Sequence, residues 1–129
     1  MLRETNDSIS ELTHQVIGCA IEVHSALGPG LLESTYEACL EYELKGKGLR
    51  VERQLALPVL YKKVKLDLGY RIDMLVEQAL ILELKAVQKI EPIHESQLLS
   101  YLKLSKLKYG LILNFNVKQL KEGIKRMIL

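Results

Sequence analysis

The sequence predicts a mixed α/β fold, a sheet with helices on both faces. Three observations predict it. Apolar residues recur at helical spacing up to about Lys47, the period drops to two from Leu49 onward, and a later helical stretch precedes two further strand-like runs. The chain has 129 residues, 48 % hydrophobic and 26 % charged, the proportions of an ordinary globular domain. It is read as one domain over residues 1–129, long enough to bury a core and leave a shallow cleft.

Ser8 to Glu11 reads as an S-x-x-E capping box, followed by Leu12, Val16, Ala20, Val23 and Leu27 along one helical face. Gly28-Pro29-Gly30 should stop that helix, because proline cannot continue the ladder. A second helix is expected over Leu31 to Lys47, ended by Gly46 and Gly48, and the short hinge makes the two an antiparallel or angled pair. Val51 to Tyr61 is a candidate strand that Pro58 assigns to an edge or a bulge. In Val64 to Val76 every even position is apolar, while Lys65, Asp67, Arg71 and Asp73 occupy odd ones, the pattern of a strand with one buried face. Ala79 to Val87 repeats it, with Leu80, Leu82 and Leu84 against Ile81, Glu83 and Lys85. Ile93 to Ser105 reads as a helix with Pro92 near its first turn. Tyr109 to Phe115 is almost wholly apolar, a strand covered on both faces, and Ile124 to Leu129 is read as a last strand. The order is helix, helix, three strands in a meander, helix, strand, strand.

Eighteen Lys and Arg against sixteen Asp and Glu leave a net charge of +2. A bulk electrostatic draw toward nucleic acid is absent, so any basic site must be local. Cys19 and Cys39 fall within helical patterns and read as buried free thiols, which points to a reducing cytoplasm. Without a neighbouring Cys or His pair they make a poor zinc site. Residues Met1 to Asp7 lack the apolar core of a signal peptide. No run approaches the roughly 18 apolar residues of a membrane span. A cytoplasmic protein with no membrane partner is expected.

Two acid-x-Lys pairs occur, Glu43/Lys45 and Glu83/Lys85, and placement separates them. Residues i and i+2 diverge on a helix, which makes Glu43 and Lys45 a solvated pair, but they project side by side from a strand. Register then brings in Asp73. The apolar even faces of the two alternating strands must lie on one side, so paired numbers must sum to an even value. A two-residue turn at Glu77-Gln78 gives 155 and flips one core face into water. An odd loop, Glu77 to Ala79, gives 156 and sets Asp73 opposite Glu83, about 5 Å apart with a lysine one step along. Two close carboxylates repel, and a divalent cation resolves the repulsion. Mg²⁺ or Mn²⁺ favours one or two carboxylates plus water and phosphate oxygens, and a nearby lysine can orient water or stabilise developing charge. Asp73, Glu83 and Lys85 therefore form a candidate site for metal-assisted phosphodiester hydrolysis. The plain structural alternative is a solvated polar face with a cross-strand Lys–Glu pair.

Asp73-x9-Glu83-Leu84-Lys85 on a hairpin, with a helix before and a helix and strand after, resembles the PD-(D/E)XK nuclease superfamily. Gly30-Leu31-Leu32-Glu33-Ser34-Thr35-Tyr36 resembles the signature of the GxxExxY protein family, and Val23 to Pro29, Tyr70 to Asp73 and Glu83 to Ala86 agree with it. The resemblance covers about residues 10 to 128. It implies a restriction-endonuclease-like fold whose mixed sheet carries Asp73, Glu83 and Lys85. Ile72 stands where the superfamily's name has proline.

The resemblance also implies that Glu33 helps hold the metal or its water, although a carboxylate in a first helical turn is favoured by the dipole alone. Tyr36 would pack or hydrogen-bond against the site. Gln97 and Tyr101, four apart, share a helix face with His94, opposite Leu98, Leu99 and Leu102. That Gln-x-x-x-Tyr resembles an extra motif of RecB-like members, whose Gln and Tyr orient the catalytic strand or the nucleic acid. A polar helix face is the plain alternative. His24 reads as a capping or core-edge residue before it reads as a ligand. Arg71 could bind phosphate or salt-bridge Glu83 or Asp67. Lys103, Lys106 and Lys108 form a basic cluster of the usual solvated kind.

The expected activity is cleavage of DNA or RNA, with Asp73, Glu83 and Glu33 as metal ligands. The alternative is a nucleic-acid-binding or protein-interaction module that keeps the fold without turnover. With so little net charge, a homodimer or a partner protein stays open as the means of gripping substrate, and exposed sheet edges would gain from pairing.

Overall fold

The computed structural model describes residues 6–129. The reading of Met1 to Thr5 as part of a leaderless terminus lies outside the described residues. Helices α1 (Asn6–Leu27) and α2 (Glu33–Gly46) come first, then strands β1 (Val51–Ala56), β2 (Val59–Tyr61), β3 (Val64–Leu66), β4 (Arg71–Val76) and β5 (Leu80–Lys85). Helix α3 (Pro92–Ser105), strand β6 (Tyr109–Asn114), a 3-10 turn (Leu120–Gly123) and strand β7 (Ile124–Ile128) complete the chain. Helix α1 already runs at Asn6, so Ser8 lies inside it. A polar S-x-x-E pattern suits a first turn as well as a cap, which is why the boundary was misplaced.

The main sheet has the order β1-β4-β5-β6-β7. Neighbours are antiparallel except β5 and β6, which run parallel and are joined through α3, as a parallel pair requires a crossover. Two apolar clusters cover its faces. Val16 and Ala20 of α1 and Leu40 and Leu44 of α2 pack with Met74, Leu82 and Leu113 on one side. Leu98 and Leu102 of α3 pack with Leu75, Ile81 and Ile112 on the other. Helices on both faces bury β5 and β6 on both sides, as the unbroken apolar run of β6 predicts. No helix among the described residues is long and apolar enough to cross a membrane. Cys19 is buried, Cys39 half-buried, and both are free thiols.

The three-strand meander is present, as β1, β4 and β5, but it is interrupted. Val51 to Tyr61 breaks at Leu57-Pro58, and Val64 to Val76 breaks at residues 67–70. The Leu57 amide still donates to the Tyr70 carbonyl at 2.9 Å, closing the end of the β1–β4 ladder, and Gly69 N–H turns back onto Asp67 Oδ1. Between those breaks β2 and β3 pair only with each other. Val64, Leu66, Leu68 and Tyr70, expected on a buried face, are exposed. Their alternation with lysines is a genuine hairpin pattern with no layer above it. Lys45 pairs with Glu41 one helical turn back at 3.2 Å, the i,i+4 partner that a helix provides.

Candidate active site

The β4–β5 register pairs Met74 with Leu82, Leu75 with Ile81 and Val76 with Leu80, each summing to 156. The connection is a tight turn with Glu77 (φ 53°) and Gln78 (φ 54°) both left-handed, closed by Ala79 N–H to the Val76 carbonyl. Such a turn alone would give the odd register. Ala79 is the added residue that restores even pairing, as the core faces demand. Asp73 is thereby set across from Glu83.

The two strands part at that point. The ladder ends at Met74–Leu82, and beyond it Asp73 Oδ2 accepts the Leu84 amide at 2.9 Å while the Asp73 amide faces Glu83 Oε1 at 3.5 Å. On the far side, Gln54 of β1 is left-handed (φ 50°), and the β1–β4 pairing passes from Arg53–Met74 to Leu55–Ile72 across it. The strict period of two fails here. Ile72 packs in the α3-side cluster, whereas Met74 and Val76 pack on the helix-pair side. A splayed, locally irregular strand leaves room between β4 and β5 that a regular ladder would fill.

Glu83 is buried, at 5 % exposure, so the solvated polar face considered from sequence does not exist. No Lys85–Glu83 ion pair forms among the described residues within 4.0 Å. Burial, and then the Asp73 charge and hydrogen bond, push the Glu83 carboxyl up to about 9. Burial also raises Asp73, aided by the charge of Glu37 and opposed by the Leu84 amide and by Lys85. Without a cation, burial and the neighbouring Asp73 charge therefore favour the protonated form of Glu83. Lys85, half-buried, closes the strand beside them.

Glu33 is the first residue of α2, and its Oε2 accepts the Ala86 amide at 3.1 Å, pinning the helix start to the end of β5. Glu33, Glu37, Gln54, Asp73 and Ala86 line one open cleft of about 530 Å³. A larger one, about 680 Å³, lies between Ala38 and Lys47 at the other end of α2 and holds none of the candidate residues. Among the described residues no three His, Cys, Asp or Glu side chains converge as a metal cage. Glu33 lines the same cleft as Asp73, with its Oε2 on the Ala86 amide. The Asp73–Glu83 pair fits a hard divalent ion, which takes one or two carboxylates and completes its shell with water and phosphate oxygens.

Tyr36 is fully buried, its ring stacked on Phe115 at 4.5 Å, and its hydroxyl donates to the Gly28 carbonyl at 2.6 Å and accepts the Leu31 amide at 3.1 Å. It ties down the loop in which Gly28 (φ 71°) and Gly30 (φ 101°) take left-handed conformations. His24 is buried, with Nε2 against the Val117 carbonyl at 2.8 Å, and does not line the Asp73 cleft. Arg71 is exposed at the start of β4, and neither ion pair considered for it forms among the described residues.

On the other face, Tyr101 is buried with Leu98 and Leu102 and does not sit on an opposite polar face. Its hydroxyl accepts from Gln97 Nε2 at 3.0 Å, which is what allows a phenol at that depth. Burial raises its pKa, and the Glu83 and Asp73 carboxylates add to the shift, placing it in their field. His94 is occupied elsewhere. It forms a reciprocal cap with Glu91, its Nδ1 accepting the Glu91 amide at 2.9 Å.

Glu37 was not picked out from sequence. It is buried, accepts from Arg53 Nε at 3.2 Å and Gln54 Nε2 at 3.1 Å, and reaches the Asp73 cleft. Its i,i+4 spacing from Glu33 was the available signal.

The family model of the PD-(D/E)XK nuclease superfamily matches residues 10–127, a span that includes Glu33, Asp73, Glu83 and Lys85. No curated protein and no solved structure matches. Three helices flanking a five-stranded mixed sheet, with the paired carboxylates where β4 and β5 part, make the restriction-endonuclease-like fold. The chain belongs to the PD-(D/E)XK nuclease superfamily.

Proposed function

We propose that the chain is a metal-dependent nuclease that hydrolyses DNA or RNA phosphodiester bonds, using Asp73 and Glu83 to hold Mg²⁺ or Mn²⁺. The observation that carries this reading is the juxtaposition of two carboxylates where β4 and β5 part, one of them buried. A bound divalent ion would acidify its water and offset phosphate charge. Lys85 directs an ammonium to the same strand end, where it orients water and stabilises charge on the phosphate in the transition state. Glu33 fixes the start of α2 against Ala86 and so shapes the cleft around Asp73. Gln97 and Tyr101 hold each other on the α3 side and fix the wall next to Glu83. Within the superfamily, Gly30 to Tyr36 supports a place in the GxxExxY group, and the two free thiols support action in a reducing cytoplasm.

The test is calorimetric titration of Mg²⁺ and Mn²⁺ into wild type and Asp73→Ala, with and without a short single-stranded oligonucleotide, followed by a cleavage assay. Binding that disappears in the variant, with cleavage by wild type only, supports the reading. No metal binding by wild type, even with nucleic acid present, overturns it and leaves an interaction module that has kept the nuclease fold.

A further inference from the structure

We propose that the β2–β3 hairpin is a gripping arm for single-stranded nucleic acid, stacking bases on Tyr61 and Tyr70 and holding phosphates with Lys62, Lys63, Lys65 and Arg71. This rests on the nuclease reading and names the form of its substrate. Residues 60–71 carry four cations and one acid, a larger net charge than the +2 of the whole chain. The basic site missing from the bulk composition is therefore local, and it lies here. All four cations are exposed, and so are both rings, Tyr61 at 62 % and Tyr70 at 45 %.

The arm is built to project. β2 and β3 pair only with each other, and Tyr61 and Val64 close the last cross-strand pair beneath a Lys62-Lys63 tip, where Lys62 is left-handed (φ 58°). The Lys62 ammonium stands 5.5 Å from the Tyr61 ring centre, so a stacking surface and a cation occupy one tip. A nucleotide offers the matching pair, a base face and a phosphate. The base faces of a duplex are already stacked, whereas a single strand leaves them free for aromatic side chains.

The arm also leads to the carboxylates. Its two strands continue into β1 and β4 at the Ala56–Arg71 pair, two residues before Asp73. Tyr70 meets the ring of Tyr101 edge-on at 6.2 Å, and Tyr101 lies in the field of Glu83 and Asp73. A strand stacked along Tyr61 and Tyr70 would be handed to the Gln97–Tyr101 side of the site. An apolar surface awaiting a second copy of the chain would not need four cations around its rings, since like charges would face each other across the two-fold axis.

The experiment is fluorescence anisotropy of a labelled oligothymidylate of about 15 nucleotides, within the range of such sites, titrated in EDTA so that no cleavage occurs. Tyr61→Ala should weaken binding about tenfold, consistent with one lost stacking contact. Lys62→Gln/Lys63→Gln/Lys65→Gln should lower the slope of log affinity against log salt by about two, from three phosphate contacts at about 0.7 each. A duplex of the same length should bind about tenfold more weakly than the single strand. The proposal is overturned by wild-type affinity in both variants, by a duplex that binds as tightly as the single strand, by no binding at all, or by sedimentation showing a dimer that Tyr61→Ala dissociates. Cleavage of the same oligonucleotide on adding Mn²⁺ reports separately on the nuclease reading. Cleavage with hairpin-independent binding sinks only the arm, and hairpin-dependent binding without cleavage sinks only the nuclease.

Discussion

Asp73 and Glu83 exchange contacts with each other's strands instead of pairing backbone to backbone. The Asp73 carboxylate takes the Leu84 amide at 2.9 Å, and the Glu83 carboxylate faces the Asp73 amide at 3.5 Å. Each side chain thereby occupies the place of a ladder carbonyl. The strands can part without leaving buried amides orphaned, a defect that costs on the order of 1–3 kcal/mol per group. The gap between β4 and β5 is thus stabilised by the same carboxylates that would hold the ion.

That arrangement has a pH signature. Burial and Asp73 hold the Glu83 carboxyl up to about 9, against an ordinary 4.5 in the unfolded chain. Between those values the folded protein binds the proton that the unfolded chain has lost, so stability falls as pH rises through the window. In the metal-free protein, thermal melting should move steadily downward from about pH 5 to pH 9, and added Mg²⁺ should restore it at the alkaline end. Glu83→Gln, with no proton to lose, should flatten the profile and melt above wild type near pH 9. An unchanged slope in that variant would show that Glu83 titrates normally.

Tyr36→Phe keeps the stack on Phe115 but removes the hydroxyl that joins Gly28 and Leu31. The carbonyl of half-buried Gly28 and the amide of exposed Leu31 lose their partner together. Urea unfolding should report a loss of about 1–3 kcal/mol with an unchanged m-value. The loop it frees leads directly into Glu33, so the variant should also cleave more slowly than its stability loss explains. Full stability and full activity would reduce Tyr36 to a packing residue.

The register of β4 against β5 was legible because parity is a strong constraint. Leu80, Leu82 and Leu84 cannot share a core with Met74 and Val76 unless the paired numbers sum to an even value. The turn was less legible, since Glu77-Gln78 makes the tight turn and Ala79 corrects the register afterwards. The β2–β3 hairpin was misread for a physical reason. Val64, Leu66 and Leu68 alternate with Lys65 and Asp67 whether or not another layer covers them, and burial belongs to the tertiary structure. Asp67-Leu68-Gly69 was the readable cue, a turn triplet within an apparent strand. Tyr101 was assigned to a polar face because its hydroxyl is polar, yet Gln97 satisfies that hydroxyl and the ring is buried. Glu37 escaped because its i,i+4 spacing from Glu33 is a cue that solvated helix carboxylates share. Its partners Arg53 and Gln54 come from β1, and only the fold brings them together.

Lys85 offers the sharpest separation of binding from chemistry. Its backbone carbonyl accepts the Phe115 amide at 2.9 Å, and its strand pairs with β6 through Asn114, so the position is fixed whatever side chain it carries. The side chain forms no ion pair with Glu83 among the described residues, so removing it breaks no salt bridge there. Lys85→Met should therefore fold like wild type and, with one cation fewer beside the carboxylates, bind Mg²⁺ at least as tightly by calorimetry. Cleavage should fall by about 10²–10³-fold, the usual loss when one preorganised charge donor is removed from a transition state. Turnover would then fall while metal affinity holds or rises, a combination that unfolding, misplacement of the carboxylates or loss of the ion cannot produce. Parallel loss of both would instead assign Lys85 to holding the site together, and unchanged cleavage would remove it from the chemistry.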